Sequence, residues 1–214
     1  MIKNIFFDFD GVLAESVNVK TQAFRNLYLE FGDEVADKVV EHHLLNGGIS
    51  RFEKIKTYHK DLLNINLDEK GIMEWADKFS DLVLKGVIEA EEVTGSQFFL
   101  DNFSKDYNCW VITGTPTEEI KIILKERNWN LYFEEAYGSP EKKSHWTEYL
   151  IEKHNLKREE TVFIGDASAD YEAAQFSKLH FILRRTDENG EIFKNYVGHE
   201  MTNLTEFNKL LKSI

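Results

Sequence analysis

The 214-residue chain has one cysteine and two prolines. A single thiol, Cys109, excludes an internal disulfide and a cysteine-built zinc site, because each needs several sulfurs. It points to a reducing, cytoplasmic setting. Glycine and proline together number 12 and 2, far below the roughly 25–30% of low-complexity chains, so the whole sequence is expected to fold. Positive charge is also scarce, with 26 Lys and Arg against 38 Asp and Glu and a formal net charge of −12. No basic block occurs, which argues against nonspecific binding to nucleic acid or anionic membranes, since both rest on clustered Lys and Arg. Long apolar runs are missing as well. Ile5, Phe6 and Phe7 are cut off by Asp8, too short for a signal-peptide core, and no stretch approaches the roughly 18 apolar residues of a spanning helix. The expectation is a soluble cytoplasmic protein with one ordinary domain and a smaller one.

What is present is a pattern of alternation. Ile2, Ile5, Phe6, Phe7 and Phe9 read as a buried strand that turns at Gly11. Further strands are predicted at Asn108 to Thr113, more weakly at Phe133 to Gly138, at Thr161 to Gly165 and at His180 to Leu183. Helical spacing lies between them, at Glu118 to Arg127, Ser144 to His154 and Ala169 to Ser177, with a last helix at Leu204 to Leu211. This order predicts an α/β fold, a Rossmann-like parallel sheet with helices on both faces, whose ligands sit at the carboxyl ends of the strands. From Glu15 to Glu92 the apolar residues recur at three and four (Ala23, Leu27; Leu82, Val83, Gly86, Val87) and no strand period appears. A connection that long needs a core of its own. The expected organisation is a core of residues 1–14 and 92–214 with a helical cap, residues 15–91, inserted after the first strand.

Four acids fall at predicted strand ends. Asp8 and Asp10 are two apart, and the period of a strand sends both to the same side; Asp166 and Asp170 follow the Thr161 to Gly165 strand. Two carboxylates about 4 Å apart repel by roughly 4 kcal/mol at an effective dielectric near 20, so such a cluster implies a cation. Oxygen ligands suit magnesium, which shares its shell with substrate phosphates, and a carboxylate can itself be a nucleophile. Thr113 adds a hydroxyl, and Gly114 and Thr115 add backbone amides that could face an anion. Lys142 and Lys143, after the Gly138-Ser139-Pro140 turn, could neutralise a phosphoryl group or the nucleophile.

Asp8-Phe9-Asp10-Gly11-Val12-Leu13, Thr113 after an apolar strand, a lysine after Gly138-Ser139-Pro140, and Gly165-Asp166 with Asp170 together resemble the four motifs of the haloacid dehalogenase-like hydrolase superfamily. The insert resembles its C1-type cap, in the branch of phosphoglycolate phosphatase and β-phosphoglucomutase. The resemblance implies that Asp8 is the nucleophile, Asp10 the general acid and base, and Thr113 with a lysine the phosphate-orienting pair. In the family's Gly-Ser-Pro-x-x-Lys form that lysine is Lys143, with Lys142 as the alternative. The implied metal set for Mg2+ is Asp8, Asp10 (through its backbone carbonyl), Asp166 and Asp170.

In the cap, Gly47-Gly48-Ile49-Ser50-Arg51 resembles the specificity loop of C1 members, which makes Arg51 a candidate grip on a second substrate anion. Lys20, at the start of the first cap helix, is a further candidate substrate contact and stands where the mutase has histidine, a departure that counts against a mutase. His42 and His43 are adjacent, about 100° apart on a helix, and read as structural or exposed. Trp75, Trp110, Trp129 and Trp146 read as core, and no Walker loop or Gly-x-Ser-x-Gly motif is present. The resemblance implies a magnesium-dependent phosphatase acting on a small phosphate ester through an aspartyl-phosphate. A phosphomutase comes second, and an idle scaffold of the same fold is a third reading. A dehalogenase is disfavoured by Asp10. The sequence leaves the oligomeric state open.

Overall fold

Ile5, Phe6 and Phe7 are wholly buried because strand β1 (Asn4–Phe7) runs through the middle of a six-stranded sheet. The structure, a computed structural model, describes residues 1–214. The other strands are β2 (Asn108–Pro116), β3 (Glu135–Ser139), β4 (Thr161–Gly165), β5 (His180–Arg184) and β6 (His199–Met201), in the order β3-β2-β1-β4-β5-β6. Every neighbouring pair is parallel. A sheet covered on both faces explains the unbroken apolar runs in place of alternation.

The pleat sends successive side chains to opposite faces. Phe6 stands in register with Trp110 and Phe163 and packs with Leu150, Ile151 and Ala173. These last belong to helices α7 (Lys143–His154) and α8 (Ser168–Phe176). Phe7 looks the other way, to Phe99, Phe133 and Phe207. That face is covered by α5 (Ser96–Phe103), α6 (Thr117–Glu126) and the last helix, α9 (Phe207–Leu211). Cys109 lies buried in β2, where burial pushes its thiol up to about 12, so it packs as an unreactive apolar group.

Between β1 and α5 lie four helices, α1 (Val17–Tyr28), α2 (Asp33–Leu45), α3 (Arg51–Thr57) and α4 (Glu69–Glu89), and a π turn at Tyr58–Leu62 continues α3. They close on an aromatic core. Phe24 lies 4.1 Å from Phe79 between ring centroids, and Tyr28 stacks on Trp75 at 5.3 Å. Ser50 caps α3 by accepting the Glu53 N–H, and Asp68 caps α4 by accepting the Gly71 N–H. The insert is attached by two adjacent backbones, with Glu15 N–H donating to the Glu91 carbonyl and Val93 N–H to the Leu13 carbonyl.

The observed elements differ from the sequence reading at their ends and at one edge. The third strand begins at Glu135, and β1 stops at Phe7, short of the expected Phe9. Strand β6 was not anticipated: three residues, two of them exposed, carry no periodic signal. No helix is long and apolar enough to cross a membrane. Phe7→Ala is expected to destabilise the fold by about 3–5 kcal/mol in urea denaturation. Leu131→Ser, at a side chain 89% exposed, should shift stability by less than about 0.5 kcal/mol.

Candidate active site

The carboxyl ends of β1 and β4 lie side by side, and each is followed by an aspartate. Asp8 is buried; its Oδ1 accepts the Phe9 N–H at 2.7 Å and its Oδ2 lies 2.8 Å from Lys143 Nζ. Asp166 follows Gly165. Asp170, two residues into α8, turns back so that its Oδ2 accepts the Ala167 N–H at 3.0 Å. That return path needs glycine at position 165, where a Cβ would overlap the Asp170 carboxyl group. Lys143 opens α7 and donates to Asp170 Oδ1 at 2.5 Å as well as to Asp8. Of the two adjacent lysines, Lys143 is buried in the site and Lys142 is exposed. Gly48, at φ 75°, brings the insert's loop down over the Lys143 ammonium and Ala169.

Carboxylate oxygens of Asp8, Asp166 and Asp170 lie within 4.8 Å of one another. Three carboxylates face one ammonium, so negative charge is in excess. Burial raises the Asp166 carboxyl well above the ordinary range, with Asp8 and Asp170 adding to the effect. Burial likewise raises Asp170 to about 7, Asp8 adding and Lys143 opposing. For Lys143, burial acts downward and the carboxylates of Asp170 and Asp8 overcome it, leaving a net upward shift. An all-oxygen cluster with uncompensated charge is a site that could hold a divalent metal ion.

Asp10 stands outside this cluster, which corrects the expectation of four converging side chains. Strand β1 has already ended, so the period of two does not reach Asp10. Its carboxylate is held instead by α1, with Ser16 Oγ donating to Oδ1 at 2.6 Å and Lys20 Nζ donating to Oδ2. Burial acts upward on Asp10, but Lys20 overcomes it and holds the carboxyl below its ordinary value. Thr115 belongs to this second group. Its hydroxyl donates to Asp10 Oδ2 at 3.2 Å and accepts from Lys20 at 2.6 Å, and its N–H turns to the Thr113 hydroxyl at 3.3 Å. Thr115 is therefore placed as a support for Asp10 and Thr113, and its amide does not open toward an anion. Thr113 is buried at the end of β2, and Gly114 lines the cavity directly beneath the Gly48 carbonyl.

The cavity, about 440 Å³, lies between the strand ends and the insert, with Asp8, Asp10 and Asp166 on its floor and Lys20, Arg51 and Lys54 on its insert side. Arg51 is not free to grip a remote anion as the sequence suggested. Its Nη1 and Nη2 donate to Glu119 Oε2 and Oε1 at 2.8 and 2.5 Å, Nη1 also donates to Ser80 Oγ, and the guanidinium lies 4.8 Å over the Phe79 ring. This bidentate pair joins α3 of the insert to α6 of the sheet domain. Two residues escaped the sequence reading. Glu119 is acidic in the first turn of a helix, an ordinary position that carries no signal. Lys54 follows Arg51 by three residues on α3, and that spacing does carry one, since both face the same way.

Residues 5–183 match the haloacid dehalogenase-like hydrolase family, and the chain belongs to it. A phosphoglycolate phosphatase from Photorhabdus laumondii is 29% identical over 187 residues, covering 81% of this chain and 76% of that protein. Among solved structures, a predicted phosphatase from Clostridium acetobutylicum superposes with a TM-score of 0.77 at 22% identity, over 100% of both chains. A β-phosphoglucomutase from Clostridium difficile superposes with a TM-score of 0.76 at 16% identity, over 100% of this chain and 98% of that one. Family and relative together make the chain an enzyme of the phosphatase type.

Glu119→Gln leaves the buried Arg51 guanidinium without its counter-charge and is expected to cost about 3–5 kcal/mol in urea denaturation; Arg51→Met combined with Glu119→Leu should recover most of the loss. In metal-free protein, carboxyls raised in the fold bind protons that the unfolded chain has released. Stability in EDTA should therefore fall as pH rises from the ordinary value of 3.8 to about 7. Denaturation at stepped pH measures that slope, and Asp170→Asn should flatten it.

Proposed function

We propose that this haloacid dehalogenase-like phosphatase is magnesium-dependent and hydrolyses a small phosphorylated metabolite through an aspartyl-phosphate on Asp8. The observation that carries the reading is the cluster of Asp8, Asp166 and Asp170 with Lys143 at the strand ends, where Asp8 and Asp166 line the cavity. Asp8, Asp166 and the Asp10 backbone carbonyl would hold the ion, with Asp170 supporting them. Magnesium bound there would draw charge from the phosphate oxygens and neutralise the repulsion between them and Asp8.

In this mechanism an Asp8 carboxylate oxygen attacks phosphorus and the bond to the ester oxygen breaks. Asp10 gives its proton to that oxygen, which leaves as an alcohol. Asp10, now a carboxylate, takes a proton from water as the water oxygen attacks phosphorus. Phosphate departs and Asp8 is restored. Lys143 fixes the orientation of Asp8 and offers positive charge to the phosphoryl group, and the Thr113 hydroxyl and Gly114 border its seat. The pairing of Lys20 with Asp10 favours the carboxylate form, the one that takes the proton from water in the second half of the reaction. Residues 15–91 act as the cap of a core formed by 1–14 and 92–214, swinging on the paired backbones at Leu13–Glu15 and Glu91–Val93, with Arg51–Glu119 as the closed-state clasp.

Purified protein should release nitrophenol from its phosphate ester in magnesium and stop in EDTA. Asp8→Asn should show no turnover with an unchanged circular dichroism spectrum, and Asp10→Asn should lose roughly 10²–10⁴ in kcat. An absolute requirement for a bisphosphate would identify a mutase, and an inert wild type across phosphate esters would identify a scaffold.

A further inference from the structure

The three carboxylates at the strand ends are not held alike. Asp8 accepts from the Phe9 N–H and meets Lys143, and Asp170 accepts from Lys143 and from the Ala167 N–H. No hydrogen bond of the fold reaches the Asp166 carboxylate, so its own backbone has to set its position in the cluster. One side chain bonds to that backbone. Asn189, 5% exposed, donates from Nδ2 to the Asp166 carbonyl at 2.8 Å.

Asn189 lies five residues beyond Arg184, the last residue of β5, and its whole amide is engaged. Nδ2 also donates to the Arg184 carbonyl at 2.9 Å, and Oδ1 accepts the Thr186 N–H at 2.9 Å. An amide bonded in this way has one orientation, because turning it over would set its oxygen against two carbonyls and its NH2 against an N–H. The Asn189 N–H donates in turn to Thr186 Oγ1 at 3.2 Å, which anchors the loop that carries it. A second grip lies on the other side of Asp166. Arg184 Nη1 donates to the Gly11 carbonyl at 3.3 Å, and Asp166 Oδ2 occupies the place that a Cβ on Gly11 would take. Asp166 is therefore seated between the end of β5, through Asn189, and the turn after Asp10, through Gly11.

We propose that Asn189 is a positioning residue for the metal: by fixing the Asp166 backbone it places the one carboxylate of the three that no donor holds, and so raises the affinity of the site for magnesium. This rests on the magnesium reading of the cluster. Magnesium tolerates little departure from octahedral geometry, so a ligand placed in advance counts for more than one that must be ordered on binding. Groups that orient metal-ligating carboxylates are typically worth about 10- to 100-fold in affinity. Without the Asn189 amide, Asp8 and Asp170 keep their own bonds and Asp166 loses its tie to β5.

The test is calorimetric titration of magnesium chloride into metal-free wild type, Asn189→Ala and Thr186→Val. Thr186→Val removes the hydroxyl that anchors the loop and leaves the Asn189 amide in place. Asn189→Ala is expected to bind magnesium roughly 10- to 100-fold more weakly than wild type, and Thr186→Val to stay within about threefold. The half-saturating magnesium concentration for nitrophenyl phosphate turnover should rise by the same factor in Asn189→Ala. An Asn189→Ala protein within about threefold of wild type overturns the proposal, and so does a Thr186→Val protein weakened as much as Asn189→Ala, which would mark a general effect of the loop. Wild type supplies a readout that needs no variant. Magnesium should move the side-chain amide NMR resonances of Asn189 and leave those of Asn4, a buried asparagine at the opposite end of β1, in place; unmoved Asn189 resonances overturn the proposal. A wild type that takes up no magnesium overturns the magnesium reading, and this assignment with it.

Discussion

Three carboxylates and a single ammonium share the dry edge of the sheet, and that imbalance organises what surrounds it. Lys143 is anchored between Asp8 and Asp170, which holds the Asp8 carboxylate in one orientation. Burial, with Asp8 adding, raises the Asp166 and Asp170 carboxyls, and the crowding of oxygens makes the site receptive to a divalent cation and to the phosphate oxygens that accompany one. The loop at Gly48 closes over the same ammonium and keeps water from screening it.

A second charge system runs along the insert beside the first. Lys20, Ser16 and Thr115 hold Asp10 away from the three-carboxylate cluster, so two aspartates only two residues apart live in opposite environments. Burial and like charge raise Asp166 and Asp170, whereas a cation lowers Asp10. Arg51 is absorbed by Glu119 across the junction of insert and sheet, and Lys54, one turn further along α3, is turned to His43.

Much of this was readable in the chain. Asp8, Asp166 and Asp170 could be grouped because β1 and β4 are dense in Ile, Val and Phe, and such runs end where a parallel sheet binds its ligands. The gap between Glu15 and Glu92 showed an insert because helical spacing persisted and strand spacing did not. Strand β6 was invisible because an exposed edge of three residues has no apolar period. Asp10 lies three residues beyond the end of β1, where the strand period no longer orients side chains.

Local chemistry along the chain therefore determined the element types, their order and which acids could meet, since propensity, periodicity and strand-end position are properties of short segments. Only the tertiary structure decided how the charges are shared. Whether Arg51 faces a substrate or Glu119 depends on a partner 68 positions further along the chain folding back. Electrostatic pairing is settled by distance in space and by exclusion of water, and neither is encoded in the spacing of neighbours along a sequence.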